Sequence, residues 1–307
     1  MHYQQYAPGD WGQMQGTSDI ITATEKLTTT DGCKLFLRSW KTDGSTVLLI
    51  LHGLGAHSGW FIDMGNALAS HGITVYAMDH RGFGRSGGLP GHIDDYHTYV
   101  EDIGFILAEI RKRHPGAAIS LLGHSMGGIF AAHFAAKYGN LLTSLLFLNP
   151  WIQDTSHLPL STSLVILLGG LFKSKRYWQV AGGTETMTTN AEAIRMLQTD
   201  PFWRRVQTAS FLLQILRMRS AVLKQARRIT TPALVMQAEA DKAVFAEASH
   251  KFYEALAGRW KTYFGYAHDS EFEDDRSKMD NDIVTWLLEH SVAASKAPSQ
   301  ETSGAGE

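Results

Sequence analysis

The central part of the chain alternates between short apolar runs and longer segments with helical spacing of apolar positions. Residues 47–51, with the sequence VLLIL, are apolar throughout, which is typical of a parallel strand buried on both faces. Similar runs predict further strands, and apolar positions three or four residues apart predict helices between them. The predicted strands are residues 25–29, 34–41, 47–51, 73–78, 118–123, 145–148, 233–237 and 261–264, and the predicted helices are residues 60–70, 96–113, 126–138, 246–256 and 278–290.

This alternation predicts the fold class. Strands that alternate with helices form a mostly parallel sheet with helices on both faces. The interval 151–229 breaks the rhythm, because it has helical and loop patterns but no good strand pattern. We therefore predict one α/β core domain, residues 21–150 and 230–290, with a helical cap inserted between its two parts. The cap is expected over the sheet edge where open α/β sheets place their sites.

The two ends of the chain lack such patterns. Residues 1–20 are rich in Gln, Gly and Tyr and predict a flexible arm, whereas residues 291–307 have few large apolar side chains and predict a disordered tail. The 307 residues are 44% hydrophobic with a formal net charge of −2, which gives no general attraction to nucleic acid. One cysteine, no secretory-type N-terminus and no apolar run of about 18 residues predict a cytoplasmic protein.

A serine lies where a predicted strand meets a predicted helix. Residues 123–127, with the sequence GHSMG, fit G-x-S-x-G, a sharp strand-to-helix turn that holds a serine hydroxyl above the sheet edge. Small residues two positions before and after the serine let the strand and the helix approach each other. We therefore predict that Ser125 is a nucleophile. His124 is expected to pack and to form hydrogen bonds within the turn.

A second glycine-rich turn, residues 51–55 with the sequence LHGLG, comes after the VLLIL strand. Such a turn can present a backbone N–H toward the serine, and the residue after the nucleophile presents another. The predicted oxyanion hole therefore consists of the amides of Leu54 and Met126. His52 is expected to brace this turn.

The general base and its acid partner are selected by position. His268 lies between the last predicted strand and the last predicted helix, and chain order in this kind of site is serine, acid, histidine. Asp241 comes after the strand 233–237 and would hold the imidazole in the correct tautomer. Glu239 is the rival acid, since it is closer to the end of that strand. A solvated loop carboxylate remains the alternative interpretation of either residue.

These motifs, together with the sequence MDHRGFGRSGG at residues 78–88, resemble the monoacylglycerol lipase and lysophospholipase group of the α/β-hydrolases. The resemblance extends over residues 25–290 and includes the cap segment Thr199-Asp200-Pro201. It implies an α/β-hydrolase fold, hydrolysis of carboxylic esters, and an acyl chain bound beneath the cap.

Two positions qualify the resemblance. Asp79 begins the D-x-R-G-x-G-x-S segment, for which the resemblance implies bracing of the sheet edge rather than catalysis. Ala238 stands where the family usually has glycine, and this departure weakens the assignment of Asp241.

The cap contains an unusually apolar segment. Residues 158–172 read LPLSTSLVILLGGLF, and Leu164, Leu167 and Leu168 are its candidate substrate-binding residues. Residues 173–228 carry eleven Lys or Arg and three acidic residues, an excess that favours contact with anionic lipid. The alternative is an ordinary cap helix packed on the domain, with solvated basic faces.

The sequence therefore predicts a serine esterase, lipase or lysophospholipase that acts through Ser125, His268 and Asp241. Its substrate would be a small acyl ester, with no metal or cofactor, and its rate should fall below the imidazole pKa of about 6.5. Alternatives are a thioesterase or a C–C bond hydrolase on the same fold, and a non-catalytic ligand-binding protein. Oligomeric state and acyl chain length stay open. Peripheral membrane association through the cap is compatible with these predictions.

Overall fold

An eight-stranded sheet forms the centre of the protein. The computed structural model describes residues 21–153, 155, 160–179, 187–256 and 258–296. The strands are β1 (Ile21–Thr28), β2 (Lys34–Lys41), β3 (Thr46–Leu51), β4 (Ile73–Met78), β5 (Ala118–His124), β6 (Ser144–Leu148), β7 (Tyr177–Gln179), β8 (Val206–Thr208), β9 (Ala233–Ala238) and β10 (Gly258–Tyr263).

The strand order of the large sheet is β1-β2-β4-β3-β5-β6-β9-β10. The strands from β4 to β10 in this order are parallel, whereas β1 and β2 join the edge as an antiparallel hairpin. The mostly parallel sheet predicted from the apolar runs is confirmed. Because the parallel strands all end at one edge of the sheet, the loops after them converge there.

Helices cover both faces of this sheet. The helices of the described residues are α1 (Ile62–Ser70), α2 (His97–Arg113), α3 (Met126–Tyr138), α4 (Leu160–Leu171), α5 (Ala191–Thr199), α6 (Ala209–Ala226), α7 (Ala246–Ala255) and α8 (Ser277–Lys296), of which α4 packs on α6 rather than on the sheet. The residues of β3 are apolar throughout because successive side chains point to opposite faces of the sheet, and both faces are covered by a hydrophobic core. Leu49 packs with residues of α2, α3 and α6 on one face, and Leu48 packs with residues of α1 and α8 on the other.

The last helix extends further than the sequence predicts. We expected it to end at residue 290, but α8 continues to Lys296, so the predicted start of the tail is wrong. Two alanines, at positions 293 and 294, favour helix through their high helix propensity. The predicted arm, residues 1–20, and the remainder of the predicted tail, residues 297–307, lie outside the described residues.

The chain between β6 and β9 adds no strand to the large sheet within the part that the structure describes. It contains α4, α5 and α6, and also β7 and β8, which pair with each other in a small antiparallel sheet. The expectation of no strand in this interval is therefore wrong. The sequence did not reveal these two strands because three residues are too few to give a periodic pattern. In the described residues, no helix is both long enough and apolar enough to cross a bilayer.

A glycine in α1 allows this helix to approach the sheet closely. A Cβ atom at Gly65 would lie 2.5 Å from ring atoms of Trp40 on β2. We expect Gly65→Ala to lower the free energy of unfolding by about 1–3 kcal/mol, because overpacking outweighs the gain in helix propensity. Urea unfolding measures the difference.

The matched control is Gly104→Ala in α2, where the added Cβ would meet Phe134 at an ordinary 3.6 Å. This variant should gain up to about 1 kcal/mol from helix propensity. Equal changes in both variants would contradict the importance of the contact between α1 and β2.

Candidate active site

The turn between β5 and α3 holds Ser125 in a conformation that few side chains adopt. Its backbone angles are φ 51° and ψ −114°. The turn is fixed on both sides, since Ser125 N–H donates to the carbonyl of Leu148 at 2.9 Å and its own carbonyl accepts from Trp151 N–H at 3.0 Å. A strained residue held in this way directs its side chain away from the sheet.

The glycines of the turn are required by close packing. A Cβ at Gly127 would lie 2.2 Å from the carbonyl oxygen of Leu51, and one at Gly123 would lie 2.4 Å from the carbonyl oxygen of Gly127. The pattern G-x-S-x-G therefore has a steric cause in this chain. It brings the start of α3 against the end of β3.

His268 lies in the loop after β10 and reaches the serine. Its Nε2 is 2.8 Å from Ser125 Oγ, and its Nδ1 is 2.7 Å from Asp241 Oδ2. Because Asp241 can only accept when ionised, Nδ1 carries a proton, and in the neutral imidazole Nε2 accepts from the serine hydroxyl. All three side chains are buried. The three residues that sequence reasoning selected thus form one continuous chain of hydrogen bonds.

Asp241 is fixed by its own loop. Its Oδ1 accepts from the amides of Ala243 and Val244 at 2.8 and 3.0 Å, and Gln237 Nε2 approaches Oδ2 at 3.2 Å. The rival, Glu239, is exposed and does not join the histidine. Alanine at position 238 therefore does not prevent the loop from presenting Asp241.

The environment raises the proton affinity of His268. Burial lowers its pKa, but the charge and hydrogen bond of Asp241, with Asp269 and Glu271 beyond it, raise this pKa by more, to about 9. Burial raises the pKa of Asp241, yet the charge and hydrogen bond of His268 bring it below its ordinary value. Asp241 is therefore ionised at neutral pH, and the expected acid limit near 6.5 should move upward.

The two backbone amides predicted to form the oxyanion hole remain candidates for that role. Met126 N–H begins α3, where the first amides lack intrahelical partners, and Leu54 lies in the turn after β3. In the described part of the chain, neither amide donates to another protein group. His52 braces the turn as predicted, because its Nδ1 contacts the carbonyl of Gly53 at 2.7 Å and its Nε2 accepts from His80 N–H at 2.9 Å.

The comparisons with known proteins agree with this geometry. The family model described as "Serine aminopeptidase, S33" matches residues 43–275. The chain belongs to this family.

Several of its relatives are named as lipases. A monoglyceride lipase homologue of monkeypox virus is 28% identical over 84% of this chain and 95% of its own length, and the human monoglyceride lipase is 28% identical over 88% and 92%. A crystal structure of the Saccharomyces cerevisiae monoglyceride lipase, with a substrate analogue, superposes with a TM-score of 0.77 at 20% identity, covering 90% and 97%. The predicted α/β-hydrolase fold and the resemblance to monoacylglycerol lipases are confirmed.

The carboxylate of Asp79 forms hydrogen bonds that brace two loops and none to the Ser125–His268–Asp241 chain, which agrees with the bracing role that the resemblance implies. Its Oδ1 accepts from Ser58 N–H and its Oδ2 from Arg85 N–H, each at 2.7 Å. Ser86 Oγ in turn donates to the carbonyl of Asp79 at 2.6 Å. The carboxylate thereby fixes the far end of the turn that contains Leu54.

A residue of the cap fixes the same turn from above. Asp200 Oδ2 accepts from His57 Nε2 at 2.8 Å and from Trp60 Nε1 at 2.9 Å. His57 Nδ1 accepts from Gly59 N–H at 3.0 Å, so the proton of a neutral His57 is on the nitrogen that faces Asp200. Arg204 N–H also donates to the carbonyl of Gly55 at 2.9 Å. The sequence marked Asp200 only as part of a family resemblance, not for this contact.

Asn149 was missed by sequence reasoning. It comes directly after β6, with φ 46°, and its Nδ2 donates to the carbonyl of His268 at 2.6 Å. Its Oδ1 accepts from Ala238 N–H at 2.7 Å. It therefore ties the histidine loop to the acid loop. Its place at the end of a buried parallel strand was the only available signal.

The predicted cap residues are not brought to the triad. Leu164, Leu167 and Leu168 are exposed at 55%, 42% and 47%, whereas Ile166 of the same helix is 2% exposed. The helix α4 packs through Ile166 and Gly170, and a Cβ at Gly170 would lie 2.4 Å from Leu213 of α6. The structure thus places the three leucines on the outer surface. Their contact with substrate stays a prediction.

One group of side chains near the triad has the composition of a metal site. His124, His268 and Asp269 place ligand atoms within 4.8 Å of one another. Both ring nitrogens of His268 already face Ser125 and Asp241, so a metal bound by His268 would take the triad apart. A metal here and the hydrogen-bonded triad exclude each other.

The contact between the cap and the turn can be tested with Asp200→Asn. One oxygen becomes an NH₂ group that faces donors, so we expect a loss of about 1–3 kcal/mol in the free energy of unfolding. Amides of residues 53–60 should also exchange faster with solvent. Asp94→Asn is the control, because this carboxylate is 52% exposed and pairs only at 3.3 Å with His92. If both variants match the parent in stability and exchange, the cap does not hold the turn.

Proposed function

We propose that this protein is a serine hydrolase of carboxylic esters, with Ser125 as nucleophile, His268 as general base and Asp241 as its orienting acid. The observation that carries the proposal is the continuous hydrogen-bonded chain from Ser125 Oγ through His268 to Asp241. The family assignment and the lipase names of its relatives support ester hydrolysis.

The chemistry depends on the positions of the protons. Ser125 Oγ attacks the ester carbonyl carbon while its proton moves to His268 Nε2. The carbonyl oxygen becomes an oxyanion, for which the amides of Leu54 and Met126 are the proposed donors. The carbon–oxygen bond to the alcohol then breaks, and His268 returns the proton to that alcohol. Water attacks the acyl-serine by the same steps and releases the acid.

The substrate class that we propose is a monoacylglycerol or a lysophospholipid. The names of the relatives support an acyl ester, and the apolar cap supports an acyl chain rather than a small polar acid. Thioesters and other small esters remain the alternative within the same mechanism. A non-catalytic binding protein would have no need for the buried hydrogen-bond chain.

We also propose that the outer face of α4 contacts lipid. Leu164, Leu167, Leu168, Leu171 and Phe172 are exposed at 55%, 42%, 47%, 54% and 84%, and they form an apolar surface at one end of the helix. Basic residues at positions 173, 175 and 176 come directly after it. An apolar face beside cations favours an anionic interface over a neutral one. Peripheral attachment of this kind would bring the active site to its substrate.

Ser125→Ala tests the catalytic proposal. We expect the parent protein to react with a fluorophosphonate probe and to hydrolyse at least one class of acyl ester. The variant should lose the label, and its turnover should fall by about 10⁴-fold or more, because no nucleophile remains. Useful substrates are p-nitrophenyl esters, monoacylglycerols, lysophospholipids, acyl-CoA thioesters and an aminoacyl anilide.

Ser70→Ala is the matched control, since this hydroxyl is exposed at the end of α1 and bonds only to Ala67. It should retain labelling and turnover. Labelling that persists in a folded Ser125→Ala protein would refute the nucleophile, and absence of labelling in the parent would favour the binding protein.

Leu167→Ser tests the lipid surface. Vesicle flotation at low salt should show that the parent binds anionic vesicles more strongly than neutral ones. The variant should bind about fivefold more weakly, because about 1 kcal/mol of apolar burial is lost. Leu288→Ser is the control, since this leucine of α8 has the same 42% exposure away from the cap. Equal binding to both kinds of vesicle, or equal loss in both variants, would refute the proposal.

A further inference from the structure

Three ionisable side chains lie behind His268 and take no part in the proposed reaction. His124 belongs to the serine turn, and Asp269 and Glu271 come after His268 in its loop. Their side chains are 1%, 1% and 0% exposed. Two carboxyl groups and an imidazole are therefore enclosed within the protein next to its proposed general base.

None of the four carboxyl oxygens receives a hydrogen bond from another described residue. His124 Nε2 is 3.7 Å from Asp269 Oδ1, and His124 Nδ1 is 3.6 Å from Glu271 Oε1. The carboxyl groups thus lie on either side of one imidazole ring, slightly beyond hydrogen-bond distance. Two buried carboxylates without donors would be costly, because burial disfavours their charged forms.

The hydrogen bonds of His124 indicate where a proton is needed. Its Nε2 lies 3.2 Å from the carbonyl of His268 and must donate to it. In neutral His124 the other nitrogen, Nδ1, then carries a lone pair that faces the carboxyl of Glu271. Two acceptors face each other unless a proton lies between them. Glu271 in its acid form removes this repulsion, although at 3.6 Å the two atoms do not form a direct hydrogen bond.

The proton affinities agree with this arrangement. Burial raises the pKa of Asp269, with help from Glu271, to about 7, and burial raises the pKa of Glu271 to about 8. Burial lowers the pKa of His124, as does His268, to about 4. Near neutral pH His124 is therefore neutral, Glu271 retains its proton, and Asp269 is partly protonated.

Other charges also face the group. Asp241 approaches from the loop after β9, Glu273 and Arg276 from the segment before α8, and His52 from the turn after β3. Glu273 is satisfied, because Thr188 and Thr189 donate to it. The unsatisfied carboxyl groups are those of Asp269 and Glu271.

We propose that Asp269, Glu271 and His124 are positioning residues for His268, and that they share protons which limit the negative charge beside its imidazole. His124 holds the backbone carbonyl of His268, together with Asn149. Each proton lost from the carboxyl groups adds a negative charge that favours protonated His268. His268 therefore loses its proton over a broader pH range than a single independent group would. The inference rests on the proposed role of His268 as base.

The effect can be measured without an assay of activity. We would follow the ¹⁵N signals of the His268 imidazole by NMR as pH is raised, with assignment by loss of the signal in His268→Gln. In the parent, the titration should be broader than one independent ionisation. In Glu271→Gln one charge can no longer form, so the midpoint should move down by about 1 pH unit and the curve should sharpen. Asp269→Asn carries the same test if Glu271→Gln does not fold.

Activity and stability give two further readouts. The acid limb of kcat/KM should move down by the same amount in Glu271→Gln. Because folding raises the pKa of Glu271 above its ordinary value, the folded parent binds more protons than the unfolded chain between about pH 4.5 and 8, and its stability falls as pH rises through this window. In Glu271→Gln the free energy of unfolding, measured with urea, should fall less between pH 6 and pH 8.5 than it does in the parent.

Asp280→Asn is the matched control. Burial also raises the pKa of Asp280, to about 6, but the charges around it are Arg276, Asp63 and His71. It should leave the titration of His268 unchanged. A midpoint that stays or rises in both Glu271→Gln and Asp269→Asn would overturn the proposal. If the His268 midpoint shifts down as expected but the parent protein hydrolyses no ester, the proposed function alone would be overturned.

Discussion

The geometry of the site depends on how closely α3 approaches the end of β3. With no side chain at Gly127, the helix rests on the carbonyl of Leu51, where a Cβ would come within 2.2 Å. Ser125, the residue before α3, has a positive φ angle, and its Cβ would lie 3.1 Å from a Cβ added at Gly53 in the turn after β3. One backbone contact thus places the serine, the first amides of α3 and the glycine-rich turn together. The loop that carries His268 and the loop that carries Asp241 then need only to extend to this fixed serine.

Most of this arrangement could be predicted because parallel strands constrain the positions of the loops at their carboxyl ends. Ser125, Asp241 and His268 each come after a parallel strand, and the loops after parallel strands meet at one edge. The turn glycines also have local steric causes that can be recognised from spacing. The choice between Asp241 and Glu239 needed the structure, because both come after the same strand and only the loop conformation separates them.

The features that the sequence could not supply depend on contacts between distant segments. Asn149 and Asp200 act through hydrogen bonds to residues more than 100 positions away, for which no local pattern exists. The strands β7 and β8 are stabilised by each other and by the cap rather than by periodicity. The carboxyl groups of Asp269 and Glu271 look like ordinary loop acids in the sequence. Only their burial, and the absence of donors from other described residues, distinguishes them.

The hydrogen bonds of Asp200 divide the cap into two mechanically different parts. Lifting the segment from Asp200 to Arg204 would leave the buried ring donors of His57 and Trp60 without their acceptor and would disturb the turn that carries Leu54. Each broken contact of this kind costs about 1–3 kcal/mol. The helix α4 has no comparable polar anchor among its described residues and is held mainly by Ile166 and Gly170 against α6. Displacement of α4 alone would therefore cost less free energy than displacement of the Asp200 segment, and it would leave the turn that carries Leu54 in place.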